Sequence, residues 1–189
     1  MLDFEGLRTG AGIFDVLSRA KALERQGKQI LHFEIGQPDF PTPEIVKKAA
    51  KDALDENFTG YVPAHGIQEL KEAIQNEIDA TRGFRPSLDQ ILIVPGGNTA
   101  IYYMLRASTD DPPNEEIIHP DPGFPTYRAV VNYLKAGNIS IPLREENEFR
   151  LNPSDVEANI TSKTKAIVIN SPQNPTGSVM KKKEIAQIA

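Results

Sequence analysis

The sequence holds no cysteine, which excludes disulfides, thiolate nucleophiles and zinc sites built on cysteine. Histidine is nearly as scarce. His32, His65 and His119 stand singly, without the close pairing by which histidines share a metal, so no metal site is expected. No apolar run approaches the length that crosses a bilayer, and Asp3 and Glu5 stand where a secretory signal carries basic residues. A cytoplasmic protein without membrane attachment is expected. A basic field is missing as well: the net charge is -5, and the Lys181-Lys182-Lys183 triplet is too short to alter that. Nucleic acid is therefore not an expected partner.

What is present is an ordinary globular composition, 189 residues with 39% hydrophobic and 25% charged content, enough for one domain or one and a fraction. Gly10-Ala11-Gly12 reads as a helix opening, lacking the third glycine of a dinucleotide fingerprint. Ile13, Phe14, Val16, Leu17, Ala20 and Leu23 then recur at helical spacing, and Ile30 to Ile35 reads as a short strand. Thr42-Pro43 has the residues of an N-cap and first helical position, ahead of an apolar stripe of Ile45, Val46, Ala49, Ala53 and Leu54. A third helix carries Ile67, Leu70, Ile74 and Ile78 and ends near Gly83, before a strand at Gln90 to Val94. From there helices and strands alternate. Helix Thr99 to Ala107, strand Glu116 to His119, helix Phe124 to Lys135, strand Ile139 to Leu143, helix Pro153 to Asn159 and strand Ala166 to Asn170 predict an α/β fold, a mainly parallel sheet with flanking helices. Lys181 to Ala189 reads as a helix just begun, as though the chain were cut inside its fold.

Three segments at strand ends hold residues suited to a ligand. In Gly96-Gly97-Asn98-Thr99 the glycines permit a tight turn, and the helix that follows offers free N–H groups and a partial positive charge, a cradle for phosphate. A plain strand-to-helix turn uses the same glycines, so alone the motif leaves both readings open. Pro120-Asp121-Pro122-Gly123-Phe124-Pro125-Thr126-Tyr127 makes a stiff loop whose Phe124 is able to lie flat on a heteroaromatic ring, or simply to fill a core. Asn170-Ser171-Pro172-Gln173-Asn174-Pro175-Thr176-Gly177 is dense in turn formers, and Asn174 supplies amide donors within it. Ser-x-x-Lys occurs at Ser18, Ser162 and Ser178, but the Ser-Asp-Asn and Lys-Thr-Gly elements of a serine acyl-enzyme are absent, so that reading is rejected.

Taken in order, these segments resemble the class I/II aminotransferases of the pyridoxal-phosphate fold-type I group. Glu34-Ile35-Gly36-Gln37-Pro38-Asp39-Phe40 and the Tyr61 to Gly66 stretch add to the likeness, which spans essentially the whole chain. The resemblance implies the N-terminal half of a fold-type I large domain, with residues 1–41 contributing to a small domain and 42–189 forming the first part of the pyridoxal-phosphate domain. It implies pyridoxal 5'-phosphate as cofactor, with Gly97 and Asn98 at its phosphate, Phe124 stacked on its ring and Asn174 bonded to its ring oxygen and close to substrate. Gly36 matches the glycine whose backbone meets the substrate carboxylate, and Tyr61 the tyrosine that reaches the neighbouring subunit's cofactor phosphate, hence a homodimer. The implied reaction is transamination between an amino acid and a 2-oxo acid. No catalytic residue is assigned, because the family's Schiff-base lysine, with the aspartate, tyrosine and arginines around it, falls beyond Ala189; the chain as given is expected to be inactive. The alternative is a non-catalytic pyridoxal-phosphate-binding module of a transcriptional regulator.

Overall fold

The structure, a computed structural model, describes residues 13–189. The expected helix opening at Gly10-Ala11-Gly12 lies outside the described residues. Two compact units are present: one made of the described residues up to Gly36 together with Ile101–Ala189, the other of Gln37–Ala100.

The first unit is built on three parallel strands, β1 (Glu116–Asp121), β2 (Gly137–Pro142) and β3 (Thr164–Ile167), in the order β2-β1-β3. Ile118 stands opposite Ile139 on one side and Ile167 on the other, and Ile117 opposite Asn138 and Ala166. Because successive side chains of a strand point to opposite faces, Ile117 and Ile118 seed two separate cores. Ile118 packs with Ile141, Leu143, Leu151, Val156 and Met180, and Ile117 with Leu105, Val130 and Val131. Both isoleucines are fully buried. Helices cover each face: α5 (Pro125–Leu134) lies against β1 and β2, while α6 (Pro153–Asn159) lies against β2 and against α7 (Lys182–Ile188). Helices on both faces of a parallel sheet are the doubly wound arrangement expected from the alternating pattern.

Local chemistry sets the helix boundaries. Pro125 and Pro153 occupy first helical turns, where the missing N–H costs nothing. The Asn152 side chain caps α6 by accepting from the Ser154 N–H at 3.1 Å. At α7 the Glu184 carboxylate accepts from the Lys181 N–H at 2.7 Å and from Arg150 Nε at 3.2 Å. Those bonds, the backbone one foremost, hold its carboxyl below the usual glutamate value. α1 (Ile13–Glu24) and α4 (Gly97–Ala107) complete the set that touches this unit, α4 beginning in the other.

The second unit holds α2 (Glu44–Asp55), α3 (Gln68–Arg82) and a 3-10 turn at Leu88–Gln90. α2 starts one residue later than Thr42 would dictate: Pro43 takes the cap position, and its carbonyl accepts from Val46 and Lys47. The α2 stripe forms but stays uncovered, with Ile45 79% and Leu54 64% exposed. α3 ends at Gly83 in the left-handed conformation, as expected.

Two expected strands are absent. Gln90 closes a 3-10 turn, and beyond their near neighbours in sequence the extended residues after it make one backbone bond, from the Ile93 N–H to the His65 carbonyl. Ile30 to Ile35 joins no ladder. A strand exists only when a second segment pairs with it, and among the described residues neither has such a partner. The Ile30 to Ile35 stretch is tethered by side chains instead. His32 bonds Glu34 through Nδ1 at 2.6 Å and Glu24, at the end of α1, through Nε2 at 2.8 Å, with Lys21 3.1 Å from Glu24. Among the described residues no helix is long and apolar enough to cross a membrane.

The tether carries a pH prediction. Hydrogen bonds accepted by Glu34, then Glu24, raise the His32 value above 6.5, and the bond donated by His32 lowers both glutamates below 4.5. The histidine contribution is complete below 6.5 and is lost as pH rises through the raised folded value, whereas the glutamate contributions are complete above 4.5 and are lost as pH falls through the lowered ones. Between those ordinary values the tether is strongest. Amide exchange of residues 28–34 followed against pH should show greatest protection in that window, and a His32→Gln variant should show a flat profile.

Candidate functional site

β1 lies between β2 and β3: the chain runs from β1 through α5 to β2 and then through α6 to β3 on the other side of β1, so the strand order switches there. In open α/β sheets that switch opens a crevice beyond the carboxyl ends of the strands, where ligands sit. The segments leaving β1 and β3 at that end are the two loops singled out in the sequence, and they are bonded to each other. The buried Gln173 amide Nε2 donates to the Pro122 carbonyl at 2.7 Å.

The loop after β1 is held close to its strand. Asp121 accepts the Leu143 N–H on its backbone carbonyl at 2.7 Å, and its carboxylate accepts from Arg128 at 2.6 Å and Ser140 at 3.2 Å. Its Asp121-Pro122 peptide is cis. Phe124 is the N-cap residue of α5, half-buried, with its ring edge-on to Tyr127 at a centroid distance of 6.0 Å and 77° between planes. Such a pair fixes the plane of the outer ring. Burial pushes the Tyr127 phenol above its ordinary value, so it stays neutral.

The loop after β3 closes on itself. Gln173 N–H donates to the Ser178 carbonyl at 2.8 Å, and the Gly177 N–H donates back to the Gln173 carbonyl at 2.7 Å. The Asn170 side chain accepts from the Asn174 N–H at 2.9 Å and donates to the Pro172 carbonyl at 3.1 Å. Ser171-Pro172 and Asn174-Pro175 are both cis. The hydrogen bonds hold the backbone on either side of Asn174 while that residue itself remains exposed.

In the Gln37–Ala100 unit, Gly96 has φ +88°, a conformation that L side chains rarely adopt, and it leads directly into α4. Gly97 and Asn98 form the exposed first turn of that helix, a Cβ added at Gly96 or Gly97 would meet nothing within 4 Å, and the turn carries no acidic residue. A helix N-terminus open to solvent and free of carboxylates favours an anion. Tyr61 in the same unit is fully exposed, and Gly36, at the end of the first unit's leading segment, is exposed with open space where a side chain would stand. Phe124 and Asn174 thus share one sheet edge within one unit. Gly97, Asn98 and Tyr61 belong to the other.

Sequence reasoning placed Phe124 and Asn174 at strand ends but did not find the partners that hold them, Gln173 and Tyr127. The only signal for Tyr127 was its position one helical turn after Phe124. For Gln173, lodged between prolines and 51 residues from its carbonyl partner, the sequence offers no signal.

These features define an α/β protein with a parallel sheet, flanking helices and two bonded loops at the carboxyl ends of β1 and β3. The sequence profile of the family described as aminotransferase class I and II matches residues 28–189, and the chain belongs to that family. It is 40% identical to an aspartate aminotransferase of Pyrococcus abyssi over 163 residues, covering 86% of this chain and 41% of that protein. It is 41% identical to aromatic-amino-acid aminotransferase 2 of Thermococcus litoralis, covering 85% of this chain and 41% of the relative. The crystal structure of the aspartate aminotransferase from Rhizobium meliloti superposes with a TM-score of 0.89 at 31% identity, over 100% of this chain and 47% of that one. The chain therefore spans less than half the length of these relatives, corresponding to their N-terminal part, and its α/β architecture is that of the N-terminal half of fold-type I aminotransferases.

Gly123 offers a direct test of the loop after β1. A Cβ there would stand 2.4 Å from the Pro120 carbonyl oxygen, a backbone atom of β1. Because β1 is fixed on both faces, relief has to come from the loop, at a cost of about 1–3 kcal/mol. Gly123→Ala should lower the urea midpoint and weaken the near-ultraviolet signal of the Phe124–Tyr127 pair; unchanged values for both would show that the loop is not held as described.

Proposed function

We propose that this chain supplies the N-terminal half of a cytoplasmic, pyridoxal-phosphate-dependent transaminase that exchanges an amino group between an amino acid and a 2-oxo acid. The observation that carries the reading is the pair of bonded loops at the β1 switch point, presenting Phe124 and Asn174 at one sheet edge. Family membership supports it, since class I and II aminotransferases work with pyridoxal phosphate. In this reading residues 1–41 contribute to a small domain and 42–189 to the large, cofactor-binding one.

The donor set fits pyridoxal 5'-phosphate piece by piece. The N-terminus of α4, with Gly97 and Asn98, suits the phosphate, because its first turn carries no carboxylate to repel a dianion. Phe124 offers an aromatic face whose tilt Tyr127 sets. The Asn174 amide would donate to the cofactor's ring oxygen close to the substrate, and the Gly36 backbone would meet the substrate carboxylate. When bound, the cofactor supplies an electron sink for the charge left on the amino acid's α-carbon as its proton departs. The protein's part here is binding and orientation. Tyr61, exposed and without partners inside its unit, suits a residue that crosses to a second subunit's cofactor phosphate, so the whole enzyme is a homodimer. Sedimentation of a full-length form should give a dimer; an active monomer would rule that out. The non-catalytic regulator module has no support from the relatives, which carry enzyme names.

None of the lysines in this chain stands at the position the resemblance assigns to the covalent attachment of cofactor, so the 189-residue chain itself should not turn over. The test is incubation with pyridoxal phosphate, borohydride reduction and mapping of modified lysines by mass spectrometry, beside an amino-transfer assay. Scattered substoichiometric labelling of Lys163, Lys165 or Lys181 without turnover is expected. One stoichiometric adduct with measurable turnover would overturn it.

A further inference from the structure

We infer that Gln173 is a positioning residue, whose side-chain amide couples the loop bearing Phe124 to the loop bearing Asn174 so that the two move as one clamp. The inference deepens the reading above and rests on it for the identity of the ligand.

Three observations carry it. Gln173 is 6% exposed although it lies in a loop between Pro172 and Asn174, which are both exposed, so its side chain turns inward while its neighbours face solvent. Its Nε2 reaches the Pro122 carbonyl at 2.7 Å, across 51 residues of sequence. Pro122 precedes Phe124 by two residues and Gln173 precedes Asn174 by one, so the bond joins the roots of the two presenting positions. Each loop is also anchored on its own account: the β1 loop through Leu143 to Asp121 and Tyr127 to Phe124, the β3 loop through the paired bonds between Gln173, Ser178 and Gly177. Among the described residues the Gln173 side chain supplies the hydrogen bond that joins these two loops, and a buried amide that loses its acceptor, or a carbonyl that loses its donor, is costly to leave unpaired. Ring stacking and amide donation are both sensitive to displacements well under 1 Å on the order-of-magnitude argument for positioned groups. A shared anchor sets their separation.

The experiment compares the native chain with Gln173→Met, which keeps the volume and removes the donor, and with Gln173→Glu, which puts a carboxylate against the carbonyl at neutral pH. Amide exchange of Leu143 and Tyr127 reports the first loop, Gly177 the second, and Val168 and Gly137, bonded within the sheet, serve as controls. Exchange at Leu143 and Tyr127 should rise by about tenfold in Gln173→Met, with Val168 and Gly137 unmoved. In parallel, binding of pyridoxamine 5'-phosphate, which needs no lysine, should weaken by about tenfold while binding of inorganic phosphate stays unchanged. A merely structural glutamine would alter Gly177 alone, or all amides together through lost stability, and either pattern overturns the inference. If the native chain binds no pyridoxamine phosphate while exchange still rises across both loops, the coupling stands and the cofactor reading fails.

Discussion

The structure depends on one strand being buried on both faces. Ile117 and Ile118 point in opposite directions from β1, each fully enclosed, and each isoleucine placed in a core contributes about 1.5–3 kcal/mol. Parallel register then passes the face assignment to the neighbours, so Ile139 and Ile167 join Ile118 while Ala166 joins Ile117. Slipping either neighbour by one residue would exchange its faces and withdraw its side chains from the core they fill. The same constraint makes the site. With β1 in the middle, β2 and β3 lie on its opposite sides, and the loops leaving the carboxyl ends of β1 and β3 meet beyond Asp121.

Elements whose formation is local were legible in the sequence. Helices announced themselves by apolar spacing and by their punctuation: Pro125 and Pro153 open α5 and α6, and Gly83 closes α3, all at or next to the expected places. Strands needed information the local pattern does not hold. Ile30 to Ile35 and Gln90 to Val94 have the residues of strands and no partner, whereas β1 runs on past His119 through Pro120 and Asp121. A proline inside a central strand argues against pairing. Here β3 pairs with β1 only as far as Ile118 opposite Ile167, apart from one bond from Val168, so at Pro120 the strand has a neighbour on the β2 side alone and the missing N–H is tolerated.

The candidate site divides in the same way. That Phe124 and Asn174 sit at strand ends followed from runs of apolar residues ending in turn formers, which is a local pattern. What holds them does not. The Gln173 side chain reaches a carbonyl far away in sequence, and the Tyr127 ring that stands edge-on to Phe124 is a buried residue of α5's first turn. Both depend on the sheet being assembled first. Motifs read from sequence name the groups that touch a ligand more readily than those that aim them, since aiming is a property of packing.

Charge placement at the helix starts divides the helices into two groups. α1, α2, α3, α6 and α7 each carry a carboxylate in the first turn, from Asp15, Glu44, Glu69, Asp155 and Glu184. Those charges neutralise the positive end of each helix. α4 and α5 carry none, and they are the two helices that begin directly after Gly96 and Phe124. Omitting the acid forgoes a stabilisation of about 0.3–1 kcal/mol at each start. In a chain of net charge -5, with Asp and Glu outnumbering Lys and Arg 26 to 21, a helix start without acid is not the default of composition. At α4 the physical consequence is direct: with no carboxylate in the first turn to compete for its N–H groups, that helix end keeps a partial positive charge.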